Sequence, residues 1–160
     1  MNNLKFTLKA WPVIATITFG VCFFTQQAAG LFGIELPNQA NLEIVRGMMG
    51  WNWRFAFLVL QILVIMPIIE ELIFRLPVKA IRKLPEMFIM PLAVLLSALF
   101  SAAHYIAQPF PDAAFLALFF FGMAQTYLYK KTGAIVYPIL NHTLFNLTNL
   151  VLLFIFPEAA

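Results

Sequence analysis

Between Arg54 and Lys79 only three side chains are ionisable: Glu70, Glu71 and Arg75. Apart from Gln61, the rest of this stretch is apolar. Coiled into a helix it is long enough to cross a ~30 Å hydrocarbon core. Charges placed in such a run are costly, and the default reading of them is a functional site. Any fold for this chain must therefore pair, bury or use these three groups.

Composition extends the same constraint to the whole chain. Of its 160 residues, 62% are hydrophobic and 11% charged, with a mean hydropathy of +0.89. Soluble domains carry about a quarter charged residues. Long continuous apolar runs also exclude an outer-membrane barrel, whose short strands alternate apolar and polar residues. The expectation is an all-α fold: a polytopic transmembrane helical bundle of about five spans, forming one integral-membrane domain over residues 1–160. The net charge of +3 points to no nucleic-acid partner. The basic residues sit in short clusters beside apolar runs, where they act as orientation signals. The single cysteine, Cys22, excludes an internal disulfide and a thiolate metal cluster.

Taken in order, Met1–Ala10 carries Lys5 and Lys9, and Trp11–Gln27 is apolar. The first span is expected to be retained and to continue through Leu31 and Phe32. The small residues of Gln26–Gly30 also fit a signal-peptide cleavage region, which is the alternative. Gly33–Trp53 reads as a polar loop ending in two interface aromatics, Trp51 and Trp53. Arg54 to about Lys83 is the second span, with Pro67 and Pro77 as candidate kinks. Ile81–Glu86 is a basic turn and Pro91–Ala107 the third span. Gln108–Asp112 is a turn rich in helix breakers. Ala113–Tyr129 is the fourth span, polar only at Gln125 and Thr126 within its apolar run. Lys130–Gly133 is a basic turn and Ala134–Phe156 the fifth span. The basic sites alternate across five spans, so the positive-inside rule gives a cytoplasmic N-terminus in a multi-pass cytoplasmic (inner) membrane protein.

The ionisable groups inside the spans are then few: Glu70, Glu71, Arg75, His104 and His142. Glu71 and Arg75 are four apart and share a helix face, which predicts an internal ion pair. Glu70 is rotated by ~100° and is left for a cavity. A carboxylate held dry and without a cationic partner is a better base near neutral pH. His142, Asn146 and Asn149 form a polar stripe on the fifth span; Phe100, Ser101 and His104 form a similar face on the third. At a rise of ~1.5 Å per residue, Glu70 and His104 each lie roughly 20 Å from the basic turn between the second and third spans, and His142 roughly 13 Å from Gly133. The groups meet mid-membrane provided the second helix continues past Pro77.

Several chemistries are absent. The chain has no His-Glu-x-x-His zinc motif. Asp112 is its only aspartate, so a two-aspartate site is impossible. Ser97 and Ser101 lie on the same helix as His104, with no Gly-x-Ser-x-Gly setting. A Glu–His pair activating water remains.

Three motifs, Glu70-Glu71-x-x-x-Arg75, Phe100-x-x-x-His104 and His142-x-x-x-Asn146, together resemble the signature of the CPBP family. That family comprises the type II CAAX prenyl endopeptidases and the bacteriocin-processing or Abi proteins. The lead-in Gly133–Asn141 is also similar. The motif core spans residues 70–146, and the chain is short beside eukaryotic relatives. The resemblance implies a glutamate-dependent intramembrane endopeptidase with its site in an intramembrane cavity. Glu70 and His104 would activate water, and His142 and Asn146 would hold the oxyanion. Glu71, Arg75 and Phe100 would support the site. No metal is favoured; Zn²⁺ on Glu70, His104 and His142 is the alternative. The implied partners are the lipid bilayer and a peptide or protein substrate with a membrane-proximal cleavage site. Two other classes stay open: a non-enzymatic self-immunity or interaction protein, and a small proton-coupled transporter.

Overall fold

The computed structural model describes residues 2–37, 40–50, 52–81, 83–106 and 112–156. Trp51, Arg82, the turn residues 108–111, the expected end of the third span at Ala107, and Glu158 lie outside the described residues. The chain folds as a helical membrane bundle, with no strand among the described residues. Its elements are α1 (Asn3–Leu31), α2 (Ala40–Met48), α3 (Trp53–Leu60), a π-helical segment (Gln61–Ile65), α4 (Met66–Ile81), α5 (Glu86–Ala103), α6 (Ala114–Thr132) and α7 (Val136–Ile155). From Trp53 to Ile81 the helix is continuous.

Local chemistry sets several of these boundaries. The side chains of Asn2 and Asn52 accept from the backbone N–H of Leu4 and Phe55, both at 2.9 Å, and so cap α1 and α3. Asp112 Oδ1 accepts from Ala114 N–H at 2.7 Å ahead of α6. Gly133 closes α6 with φ of +74°, a left-handed conformation that glycine adopts without a Cβ penalty. Two expectations are corrected. The loop Gly33–Trp53 contains helix α2, whose Val45 packs with Leu150 and Leu153 of α7. The third helix starts at Glu86, with Pro91 inside it.

Helix α4 runs through Pro77 to Ile81, so the condition for a mid-membrane meeting holds. Pro67 has a different effect. Met66 N–H bonds to Gln61 O rather than Ile62 O, and Pro67 has no N–H to offer. The carbonyls of Ile62 and Leu63 thereby lose their intrahelical α-helical donors, and the ladder relaxes into the π segment.

Three helices are long and apolar enough to cross a membrane: Asn3–Leu31, Trp53–Ile81 and Val136–Ile155. Met87–Ala103 is a shorter apolar helix. Helix α6 is the central one. It packs against α1, α5 and α7, and its buried residues include Phe121, Gly122, Gln125, Leu128 and Tyr129. Asn3 Nδ2 donates to Thr132 O at 3.1 Å, which sets the N-terminal end of α1 beside the C-terminal end of α6. Polarity is distributed in the reverse of a soluble protein. Phe24 and Met87 are 70% and 72% exposed, whereas Glu71, Arg75, Gln125 and Asn141 are fully buried. In lipid this is the favourable arrangement, since the apolar exterior meets acyl chains and the charged and amide groups are kept away from them.

The core that frames the polar groups is aromatic. Phe100, Phe121 and Phe145 cluster with Ala15, and Trp11, Phe74 and Leu118 pack against them. Helices α5 and α6 come close where Gly122 faces Ser97. A Cβ on Gly122 would lie 3.0 Å from both Ser97 Cβ and Oγ, and 3.1 Å from its Cα. Small residues allow such contact between membrane helices. We expect Gly122→Ala to lower stability by about 1–3 kcal/mol through overpacking, read as a reduced melting temperature of the detergent-solubilised protein; unchanged melting would show that the two backbones can separate freely.

Candidate active site

The site begins with a local pair. Arg75 and Glu71 lie one turn apart on α4, and Arg75 Nε donates to Glu71 Oε2 at 2.9 Å. Both side chains are fully buried. The second oxygen, Glu71 Oε1, accepts from His142 Nδ1 of α7 at 3.0 Å. A carboxylate can only accept, so Nδ1 carries that proton. His142 Nε2 lies 3.5 Å from Glu70 Oε2. The imidazole is thus inserted between two adjacent carboxylates of one helix.

This arrangement differs from the expectation that Glu70 points away. The ~100° rotation between neighbours places the two Cβ atoms on different faces. The flexible carboxylate arms span that difference, because the imidazole offers a nitrogen on each edge. The two glutamates remain unequal. Both oxygens of Glu71 are engaged and it has no exposure, whereas the Glu70 side chain is 16% exposed with only the longer contact to His142.

His104 closes α5 as its C-terminal capping residue. Its Nδ1 lies 2.9 Å from Phe100 O. A carbonyl accepts, so Nδ1 carries the proton and the Nε2 lone pair is left for other chemistry. Phe100 gathers the site. Its ring centroid lies 4.7 Å from that of His104, 6.0 Å from His142 and 5.4 Å from Phe74, and the Arg75 guanidinium carbon lies 5.9 Å from it. Phe121 of α6 backs His142 at 5.1 Å. An aromatic wall of this kind excludes water and strengthens the charge interactions it encloses.

Asn146 Nδ2 donates to Ile62 O at 2.9 Å, and Thr143 Oγ1 donates to Leu63 O at 2.8 Å. These are the carbonyls deprived by Pro67. Asn149 instead donates to its own helix, at Phe145 O, 3.3 Å away. Ser101 donates to Phe115 O of the neighbouring α6 at 2.5 Å rather than to its own helix. The structure therefore gathers Glu70, Glu71, Arg75 and His142 by direct polar contact, joins His104 to them through Phe100, and ties Asn146 to the π segment. Among the described residues, no three His, Cys, Asp or Glu side chains converge closely enough to hold a metal ion, so the set Glu70, His104 and His142 does not form such a group. One nitrogen of His104 faces its own helix, and both of His142 face carboxylates.

A family model described as "Type II CAAX prenyl endopeptidase Rce1-like" matches residues 51–148. The chain belongs to the Rce1-like family. The matched stretch holds Glu70, Glu71, Arg75, Phe100, His104, His142 and Asn146. Membership places this Rce1-like protein among the intramembrane CAAX-type endopeptidases as a class. Neither a curated protein nor a solved structure matches the chain.

Among the polar contacts of the Rce1-like core that the motifs do not announce, two tie α7 to its neighbours. One is Thr143 on Leu63 O. The other joins Gln125 Nε2 to Asn141 Oδ1 at 2.8 Å, both side chains being fully buried. The available signals were Pro67, which leaves a carbonyl unserved, and Gln125, the lone amide of α6, with Asn141 one residue before His142. Removing one partner of the buried pair should separate stability from chemistry. Arg75→Met leaves Glu71 short of its cation and is expected to cost about 3–5 kcal/mol, whereas Glu70→Gln keeps a near-wild-type melting curve. Equal melting of the two variants would overturn this asymmetry.

Proposed function

We propose that the chain is a glutamate-dependent endopeptidase that hydrolyses a peptide bond in a membrane-associated peptide or in the membrane-proximal tail of a protein. The observation that carries this reading is one imidazole, His142, shared by a closed carboxylate, Glu71, and a more open one, Glu70, in a member of this family. Glu71 is consumed by Arg75 and His142, so its role is to hold them. Glu70 is the carboxylate left to act on water.

In this mechanism Glu70 takes a proton from the attacking water as its oxygen bonds to the scissile carbonyl carbon. His104 presents the Nε2 lone pair as the second proton acceptor, and the proton passes to the leaving amine as the C–N bond breaks. The negative charge on the carbonyl oxygen is met by donors from α7. Asn146 spends one amide hydrogen on Ile62 O and has a second to give. His142, when protonated at Nε2, is the other donor. Donors fixed in a dry setting before charge develops are worth far more than the same groups in water. The water activation uses carboxylate and imidazole alone, with no metal.

Residues 1–160 act in this reading as one domain in the cytoplasmic membrane, with the N-terminus in the cytoplasm. The basic clusters support that orientation: Lys5 and Lys9 share an end of the bundle with Lys130 and Lys131, joined through Asn3 and Thr132.

The test is cleavage of a membrane-tethered peptide by the full chain in vesicles. We expect Glu70→Gln and His104→Ala each to lower the rate by about 10²–10⁴-fold, and exhaustive chelation to leave it unchanged. Wild-type cleavage by Glu70→Gln would reject the mechanism; loss of activity on chelation, restored by Zn²⁺, would reject its metal-free form. Peptides that accumulate uncleaved in cells carrying Glu70→Gln would identify the substrate.

A further inference from the structure

Threonines in the helices of this protein follow a habit. Thr7, Thr18, Thr25, Thr126, Thr132 and Thr148 each donate to the carbonyl four residues back in their own helix. That is the local bond such hydroxyls ordinarily make. Thr143 departs from it and reaches across to Leu63 O, 80 residues away in sequence. Asn146, one turn further along α7, does the same toward Ile62 O, while Asn149 keeps to its own helix. The two departures meet the two carbonyls that Pro67 leaves without intrahelical α-helical donors. Membrane interiors give such carbonyls no water, so neighbouring side chains complete them.

From this match we infer that Thr143 is a positioning residue of the hydrolytic site: with Asn146 it clamps the π segment to α7 and so sets where Glu70 and Glu71 stand against His142. The inference rests on the reading of Glu70 as the base. Leu63 and Glu70 are two helical turns apart, about 10 Å along the axis. Helix α7 therefore grips the Trp53–Ile81 helix at two levels. One is the ionic contact of His142 with Glu71. The other is the pair of carbonyl bonds at Ile62 and Leu63. A single attachment would leave the long helix free to rotate and slide about it; two attachments fix both. The same clamp orients the Asn146 amide, because one N–H held on Ile62 O gives the other a fixed direction.

The clamp differs from the ion pair in what it should do on removal. Interhelical hydrogen bonds in membranes contribute little to stability on average. Misplacement of reacting groups by about 1 Å can cost ~10²-fold in rate. Thr143→Val keeps the shape and loses the donor. In vesicle-reconstituted full-length protein we expect it to lower kcat by about 10–100-fold, with KM and melting temperature near wild type, and Thr143→Ser to recover most of the rate. Pro67→Ala is the second variant. It restores an N–H that competes for Leu63 O, and should lower kcat without loss of thermal stability.

The outcomes separate. Glu70→Gln inactive with Thr143→Val at wild-type kcat overturns the positioning role alone. A Thr143→Ser as slow as Thr143→Val also overturns it, since the hydroxyl would then not matter. If Thr143→Val fails to fold, Pro67→Ala decides: unchanged kcat there overturns the clamp, and reduced kcat supports it. Full cleavage by Glu70→Gln overturns the underlying mechanism and the inference with it.

Discussion

Glu71 is a carboxylate with no exposure, shared between a guanidinium and an imidazole, and the arrangement of the bundle depends on it. Moving an ion out of water costs several kcal/mol even after relaxation, and only close partners offset that. Each oxygen of Glu71 has one: Arg75 from its own helix and His142 from α7. The first partner is local and needs no fold. The second exists only when α4 and α7 are in register. A group this costly to leave half-satisfied ties the two helices together and penalises rotation of either. The aromatic wall of Phe100, Phe121 and Phe145 makes the same demand from the other side, since it must close over the pair.

Once Glu71 is consumed, its neighbour acquires the opposite character. Glu70 has the same chemistry and stands one residue away, yet it keeps partial exposure and, in place of two close partners, the longer 3.5 Å contact to His142. The difference comes from the helix period, which gives one carboxylate to the interior pair and leaves the other at the opening. His142 contacts both. The site is therefore asymmetric by geometry rather than by residue type. The break in the helix ladder ahead of Pro67 adds a second asymmetry, because the backbone itself becomes a partner for side chains of α7.

Much of this was legible in the sequence, for physical reasons. Crossing a bilayer imposes long apolar runs, so the long helices and their polar interruptions stand out. The Glu71–Arg75 pair was readable because i,i+4 spacing is local. The three motifs pointed to the family that the match over residues 51–148 shows. What escaped was non-local or short. Helix α2 is a nine-residue piece within a polar stretch, below the length at which periodicity speaks. The direction of Glu70 depended on an imidazole arriving 72 residues later. The donors to Ile62 and Leu63 could be anticipated as a need, from Pro67, but not assigned to Thr143 and Asn146. The Gln125–Asn141 pair likewise required knowing that α6 and α7 are neighbours.

Helix α6 sits at the centre of the bundle, yet it is not among the helices apolar enough to cross a membrane on their own. Lipid offers such a segment little. Its Gln125 amide donates to Asn141, its Thr126 and Thr132 hydroxyls bond back to their own helix, and Gly122 packs on Ser97, so its polar groups turn to protein rather than to lipid. The order of the chain suits this. By the time α6 leaves the ribosome, α1 and α5, against which it packs, have already been made, and α5 carries the serine that meets Gly122. The helix bearing Asn141 follows directly. The central helix thus meets partners that precede it in the chain, and the helix that follows supplies the acceptor for its amide.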